Sequence, residues 1–159
     1  MKYTRLTKEQ FEELHPEFIN FLATQSITAD EWAKIKTEQP QVAEQELDVF
    51  SDLVWEGVLQ KATYLENIAP QQLFLFKIAA NEMQLISLKI SEESIDITTS
   101  EGYQWLQKNF AEESVEFYTA KKAFSEDRNG DIFSLIKQGA IITQGELYRF
   151  FEDILNAAK

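Results

Sequence analysis

Residues 40–61, PQVAEQELDVFSDLVWEGVLQK, read as one long helix, and the reading of the rest follows from it. Pro40 suits a first helical position, where its missing N–H has no intrahelical partner to lose. No further proline interrupts the stretch, and Gly57 is its one glycine. At roughly 100° per residue, Ala43, Leu47, Phe50, Val54 and Val58 form a continuous apolar stripe, widened by Val42, Val49 and Leu53. An arc that wide belongs to a core helix rather than to a coiled-coil seam.

Two features complicate this helix. Glu46 projects into the apolar arc between Phe50 and Leu53. A carboxylate there has to be paired, protonated or placed at the end of the buried zone. The plain reading is contact with a backbone N–H or solvent; the functional one is a buried acid, base or metal ligand. On the other side, Glu44, Asp48, Asp52 and Glu56 recur every fourth residue and share a ridge. Like charges so spaced repel, and three pairs cost about 1 kcal/mol. Trp55 and Leu59 fall in the same sector. Three readings stand: solvated acids with Trp55 and Leu59 packed under another part of the chain, a docking surface, or a hard-cation site at Asp48 and Asp52.

The composition narrows the classes. The net charge is −12, with twelve acids against five bases in the first sixty residues. Such a field disfavours nucleic acid and anionic membrane and favours a basic protein partner. Twelve phenylalanines argue for a packed core. With no cysteine there is no disulfide, thiol nucleophile or thiolate metal site, and the single histidine, His15, makes a zinc site implausible. The opening MKYTRLTKEQF lacks the apolar core of a signal peptide, so a cytoplasmic location is expected.

Before the long helix, Thr7-x-x-Gln10 and Thr28-x-x-Glu31 fit capping boxes. The first opens a helix bearing Phe11, Leu14, Phe18, Phe21 and Leu22, which Pro16 either kinks or restarts. His15 lies by spacing near its apolar face, as a structural residue. After Lys61 the period changes. Residues 62–68, 73–79 and 83–90 read as strands joined by short links, hence antiparallel, and 94–97 as a candidate extension. Thr98-x-x-Glu101 opens a helix to about residue 111, and 115–120 is another strand. Ser125 caps a helix ended by Gly139, and Thr143-x-x-Glu146 caps the last. The expected fold is α+β: an antiparallel three- to four-stranded meander packed with about six helices. It forms a single domain over 1–159, with 1–61 a helical layer and 62–159 sheet plus helices.

No catalytic motif survives inspection. Residues 125–132 resemble a calcium loop, but Ile136 stands where the bidentate glutamate belongs. Lys121, Lys122 and Arg128 make a small basic patch, read as a solvated strand end. The run Glu44-x-Glu46-Leu47-x-x-Phe50-x-Asp52-x-x-Trp55-Glu56, with Phe11-Glu12-Glu13-Leu14-His15 before it, resembles a family of small acidic bacterial proteins filed as a domain of unknown function. The likeness extends to Leu73-Phe74-Leu75-Phe76-Lys77 and Gln138-Gly139-Ala140. It implies one intact domain, and no activity, cofactor or catalytic residue comes with it. The expected function is a soluble, non-enzymatic protein-interaction module, binding a basic partner or a second copy through Trp55, Leu59, Glu44, Asp48, Asp52 and Glu56. The alternative is a hydrolase or transferase using a metal at Asp48 and Asp52. A small-molecule pocket between sheet and helices is the third reading.

Overall fold

The computed structural model describes residues 1–158. It divides after Gln60 into two compact units, within one residue of where the periodicity changes. No helix among the described residues is long and apolar enough to cross a membrane.

The first unit is helical: α1 (Lys8–Glu13), α2 (His15–Thr24), α3 (Ala29–Glu38) and α4 (Pro40–Lys61). Both predicted capping boxes form. The Thr7 and Thr28 hydroxyls accept from the backbone of Gln10 and Glu31, whose side chains return the bond. Pro16 restarts the helix rather than kinking it, occupying the first turn of α2 after a break at Leu14. That break removes His15 from the apolar stripe, and its side chain is exposed. Phe18, Phe50 and Trp32 are buried. Phe18 meets Phe50 and Trp32 edge-on, with ring centroids 5.0 and 5.3 Å apart, the orientation favoured by the ring quadrupoles.

The apolar arc of α4 is narrower than its sequence suggests. Ala43 and Phe50 are buried and Leu47 and Val54 half-buried, whereas Val49, Leu53 and Val58 are exposed. Ser51 is fully buried instead. Its hydroxyl donates to the Leu47 carbonyl at 2.7 Å and accepts from the Leu6 N–H at 3.1 Å. The irregular segment before α1 lies along this flank of α4 and turns the covered face toward Ser51.

From Lys61 onward the chain forms one antiparallel sheet: β1 (Tyr64–Ala69), β2 (Gln72–Ile78), β3 (Glu82–Ile90), β4 (Val115–Ala123) and β5 (Ile141–Thr143). The strand order is β4-β3-β2-β1-β5. The first three strands make the expected meander. The sheet has five strands rather than three or four, because three residues after Gly139 pair with β1. Residues 94–97 add no strand; Ile97 donates to the Pro70 carbonyl at 2.9 Å.

Helices α5 (Ser100–Asn109), α6 (Arg128–Lys137) and α7 (Glu146–Ala157) complete seven helices among the described residues. Their caps sit slightly off the predicted positions: Thr99, Asp127 and Gly145. Leu73 and Leu75 of β2 pair with Leu88 and Ile86 of β3. With Leu106 of α5 and Leu147, Tyr148 and Phe151 of α7 they form the core. On the opposite side, Phe74, Phe76 and Leu85 meet Leu135 of α6 around a small cleft. Central strand β2 is thus covered on both faces, which explains its near-continuous apolar sequence.

The burial pattern of α4 is directly testable by urea unfolding. Phe50→Ala is expected to cost about 3–5 kcal/mol, and Leu53→Ala to stay within about 0.5 kcal/mol of the parent. Comparable losses at both positions would restore the wider arc.

Candidate functional site

The acidic ridge of α4 is occupied by the chain's own residues 2–6. The Asp52 carboxylate accepts the backbone N–H groups of Lys2 and Tyr3 at 2.7 and 2.9 Å. The Tyr3 hydroxyl reaches both oxygens of Glu56 at 2.9 and 3.0 Å, and Lys2 Nζ lies 3.8 Å from Glu56. The Arg5 guanidinium bridges Asp48, from Nε at 2.8 Å, and Glu44. Trp55 Nε1 donates to the Thr4 carbonyl at 3.0 Å. Burial and then the Glu56 bond raise the Tyr3 hydroxyl above its ordinary pKa, and Asp48 followed by Glu44 raises that of Arg5.

This resolves the repulsion that the helix sequence raises. The counter-charges come from residues 2–6, about fifty positions away, not from lysines interleaved on the helix. The ion pairs are largely exposed and individually weak. The N–H bonds to Asp52 are charge-assisted, and the segment is anchored by the buried Leu6.

The predicted site residues therefore divide. Glu44, Asp48, Asp52, Glu56 and Trp55 come together on one short segment. Leu59 is fully buried and Trp55 half-buried, so Leu59 is not part of an exposed contact patch. Asp48 and Asp52 face Arg5 and backbone N–H groups, and among the described residues no three His, Cys, Asp or Glu side chains are placed to share a metal ion. Glu46 is half-buried, and its Oε2 is shielded from solvent without a hydrogen-bond partner. The contact with a backbone N–H or solvent expected of it is not made by that oxygen.

Other sequence candidates disperse. Lys121 and Lys122 point to opposite faces of β4, and Arg128 is engaged by Asn129 and the Ala62 carbonyl. The calcium-like loop is a helix start: Asp127 accepts the Gly130 N–H, and Asp131 accepts from the Ser125 N–H and hydroxyl.

The third reading, a pocket between sheet and helices, came without residues; two clefts lie on the α7 side of the sheet. The larger, about 520 Å³, runs between Gln84, Thr119 and Lys121 and the α7 residues Tyr148, Glu152 and Asn156. Lys77 pairs with Glu152 at 3.7 Å. Burial, then Glu152 and Tyr64, push the Tyr148 hydroxyl up to about 12. The second, about 400 Å³, is lined by Glu66, Ile68, Tyr103, Thr143, Gln144, Glu146 and Leu147. Burial holds the Glu66 carboxyl above its ordinary value. Tyr103 is raised by burial, then by Glu66 and Glu146. Glu66 alternates with core residues on β1, and that misplaced acid was the one signal available in the sequence.

Residues 1–156 match the model of a family of unknown function (DUF6495). The chain belongs to that family. No curated protein and no solved structure matches it. The match spans both the ridge and the clefts.

Two outcomes check these placements. Asp52→Ala removes an acid from a like-charged ridge, yet it is expected to destabilise by about 1–3 kcal/mol, because two N–H groups lose a charged acceptor. A gain in stability would mean that repulsion dominates. For Glu66 the raised value means that the native state holds the proton more tightly than the unfolded chain. Its contribution is therefore present below the ordinary 4.5 and lost as pH rises through the raised value. Glu66→Gln is expected to melt above the parent at neutral pH, with the difference closing as pH falls through that window.

Proposed function

We propose that the helical unit is a non-enzymatic interaction module whose α4 ridge holds a short basic peptide segment. One observation carries this reading: α4 side chains bond four main-chain groups of residues 2–6, namely the N–H of Lys2, Tyr3 and Leu6 and the carbonyl of Thr4. Main-chain recognition supplies affinity for a peptide backbone, while Glu44, Asp48 and Glu56 select basic and hydroxylated side chains. On this reading residues 2–6 are the resident occupant, and a basic segment of a partner or of a second copy competes for the same groups. The net charge of −12 assists the encounter, and salt weakens it. A cytoplasmic setting suits a chain without cysteine. The carboxylate-metal reading has less support, since Arg5 and main-chain N–H groups already satisfy Asp48 and Asp52.

The test is a labelled peptide of residues 1–7 titrated into the full chain carrying Lys2→Glu and Arg5→Glu, which weaken the resident segment. Saturable binding that weakens with salt and disappears on adding Asp48→Ala and Asp52→Ala is expected. A folded charge-reversal variant that ignores the peptide would overturn the reading. Dimerisation at matched peptide-free concentrations would identify a second copy as the occupant.

A further inference from the structure

We infer that the cleft between β1, α5 and the start of α7, bounded by Glu66, Tyr103 and Glu146, is a binding site for a small organic cation of the alkylguanidinium or alkylammonium class. The inference concerns the sheet unit and does not depend on the reading of α4.

Glu66 is the residue that the fold alone does not explain. It sits in mid-strand, on the side of the sheet that packs against α5 and α7, opposite Leu75 on one flank and Ile141 on the other. A branched apolar side chain there would continue the core. No basic residue faces it across either strand pair, and it forms no ion pair or hydrogen bond through its side chain among the described residues. Glu146 has an ordinary reason for its place, since an acid in the first turn of a helix is favoured by the helix dipole. That reason does not extend to Glu66, which is in a strand.

The surroundings specify the ligand class. Glu66, Tyr103 and Glu146 line one cleft, and both carboxylates raise the Tyr103 hydroxyl. Two basic residues stand nearby: Lys77, two residues from Leu75 on β2, pairs with Glu152 at 3.7 Å, and Arg149, three residues after Glu146, lies at the rim of the cleft beside Gln144. Arg149 donates to the Gln144 carbonyl at 2.8 Å, and its guanidinium stands 5.4 Å from the centroid of the Tyr64 ring. The volume, about 400 Å³, falls within the range of small-molecule pockets. Ile68, Leu147 and the Tyr103 ring give the cleft apolar walls suited to an alkyl chain, and an aromatic face attracts a cation. A hard metal ion asks for several carboxylate or other oxygen ligands converging on one point, and among the described residues no three His, Cys, Asp or Glu side chains are placed to share one. An organic cation uses both kinds of wall.

The position is held by local structure. Gly145 precedes α7 at φ 80°, a left-handed conformation suited to glycine, and an added Cβ would run into the Tyr64 ring. Glu146 follows directly. Gly102, against the backbone of Asp96 and Ile97, seats α5 close enough to present Tyr103.

The experiment is an NMR titration of the full chain with butylguanidinium chloride and, separately, butylammonium chloride. Butylurea, sodium chloride at matched ionic strength and calcium chloride are the controls. Saturable shifts at Glu66, Tyr103 and Glu146 with either organic cation and not with butylurea are expected. Glu66→Gln is expected to weaken binding at least tenfold while the spectrum stays folded, and Glu146→Gln to weaken it further. The inference is overturned by equal binding to the folded Glu66→Gln protein, by butylurea binding as well as the cations, by calcium alone saturating the same residues, or by no saturable shift. Because the peptide titration reads α4, either result can fail without the other.

Discussion

The bonds from Asp52 to the main-chain N–H groups of Lys2 and Tyr3 carry the logic of the helical unit. Helix α4 has to satisfy two opposed flanks at once. One buries Phe50 among aromatic rings, and the other carries four carboxylates in a row. This helix does not neutralise the row from within, since no base stands three or four residues from any of the acids. The segment before α1 supplies the missing donors and cations. In doing so it brings Leu6 into the core and gives Ser51 a partner for its buried hydroxyl. The ridge, the buried serine and the exposure of Leu53 are consequences of one packing decision.

The sheet unit follows a different constraint. Its strands alternate, so each residue is committed to a face by its register. Leu73, Leu75, Ile86 and Leu88 commit one face to α5 and α7, and Phe74, Phe76 and Leu85 commit the other to α6. Against that pattern a carboxylate at position 66 stands on a core-facing side. Burial without a counter-charge raises its proton affinity. The same acid lines the cleft beside Ile68, Tyr103 and Leu147. Ser87 is the comparable anomaly on the other face: a buried hydroxyl without a hydrogen-bond partner, flanked by Phe74 and Tyr118 across the strands.

Much of the fold was legible because its signals are local. The Thr7 and Thr28 boxes, the start of α4 at Pro40, the stop at Gly139 and the meander of β1, β2 and β3 each rest on contacts within a few residues. The misses have equally definite causes. Strand β5 is three residues long, too short for an alternation to register, and only its pairing with β1 makes it a strand. The α7 cap moved from Thr143 to Gly145 because Thr143 was taken into that strand. Val49 and Leu53 were assigned to the core because periodicity reports which residues share a face, and not how much of that face is covered.

What the sequence determined by itself is the elements other than β5 and the grouping of residues on them, including the four acids that share one ridge of α4. These follow from fixed periods of about 3.6 and 2 residues and from hydrogen bonds between near neighbours. Only the tertiary structure decided what the ridge meets and which groups surround Glu66. Asp52 and Tyr3 are 49 residues apart, and Glu66 reaches Tyr103 and Glu146 from three separate elements. No local period encodes such meetings. They are set when the core closes and each polar group is left with whichever partners the packing brings to it.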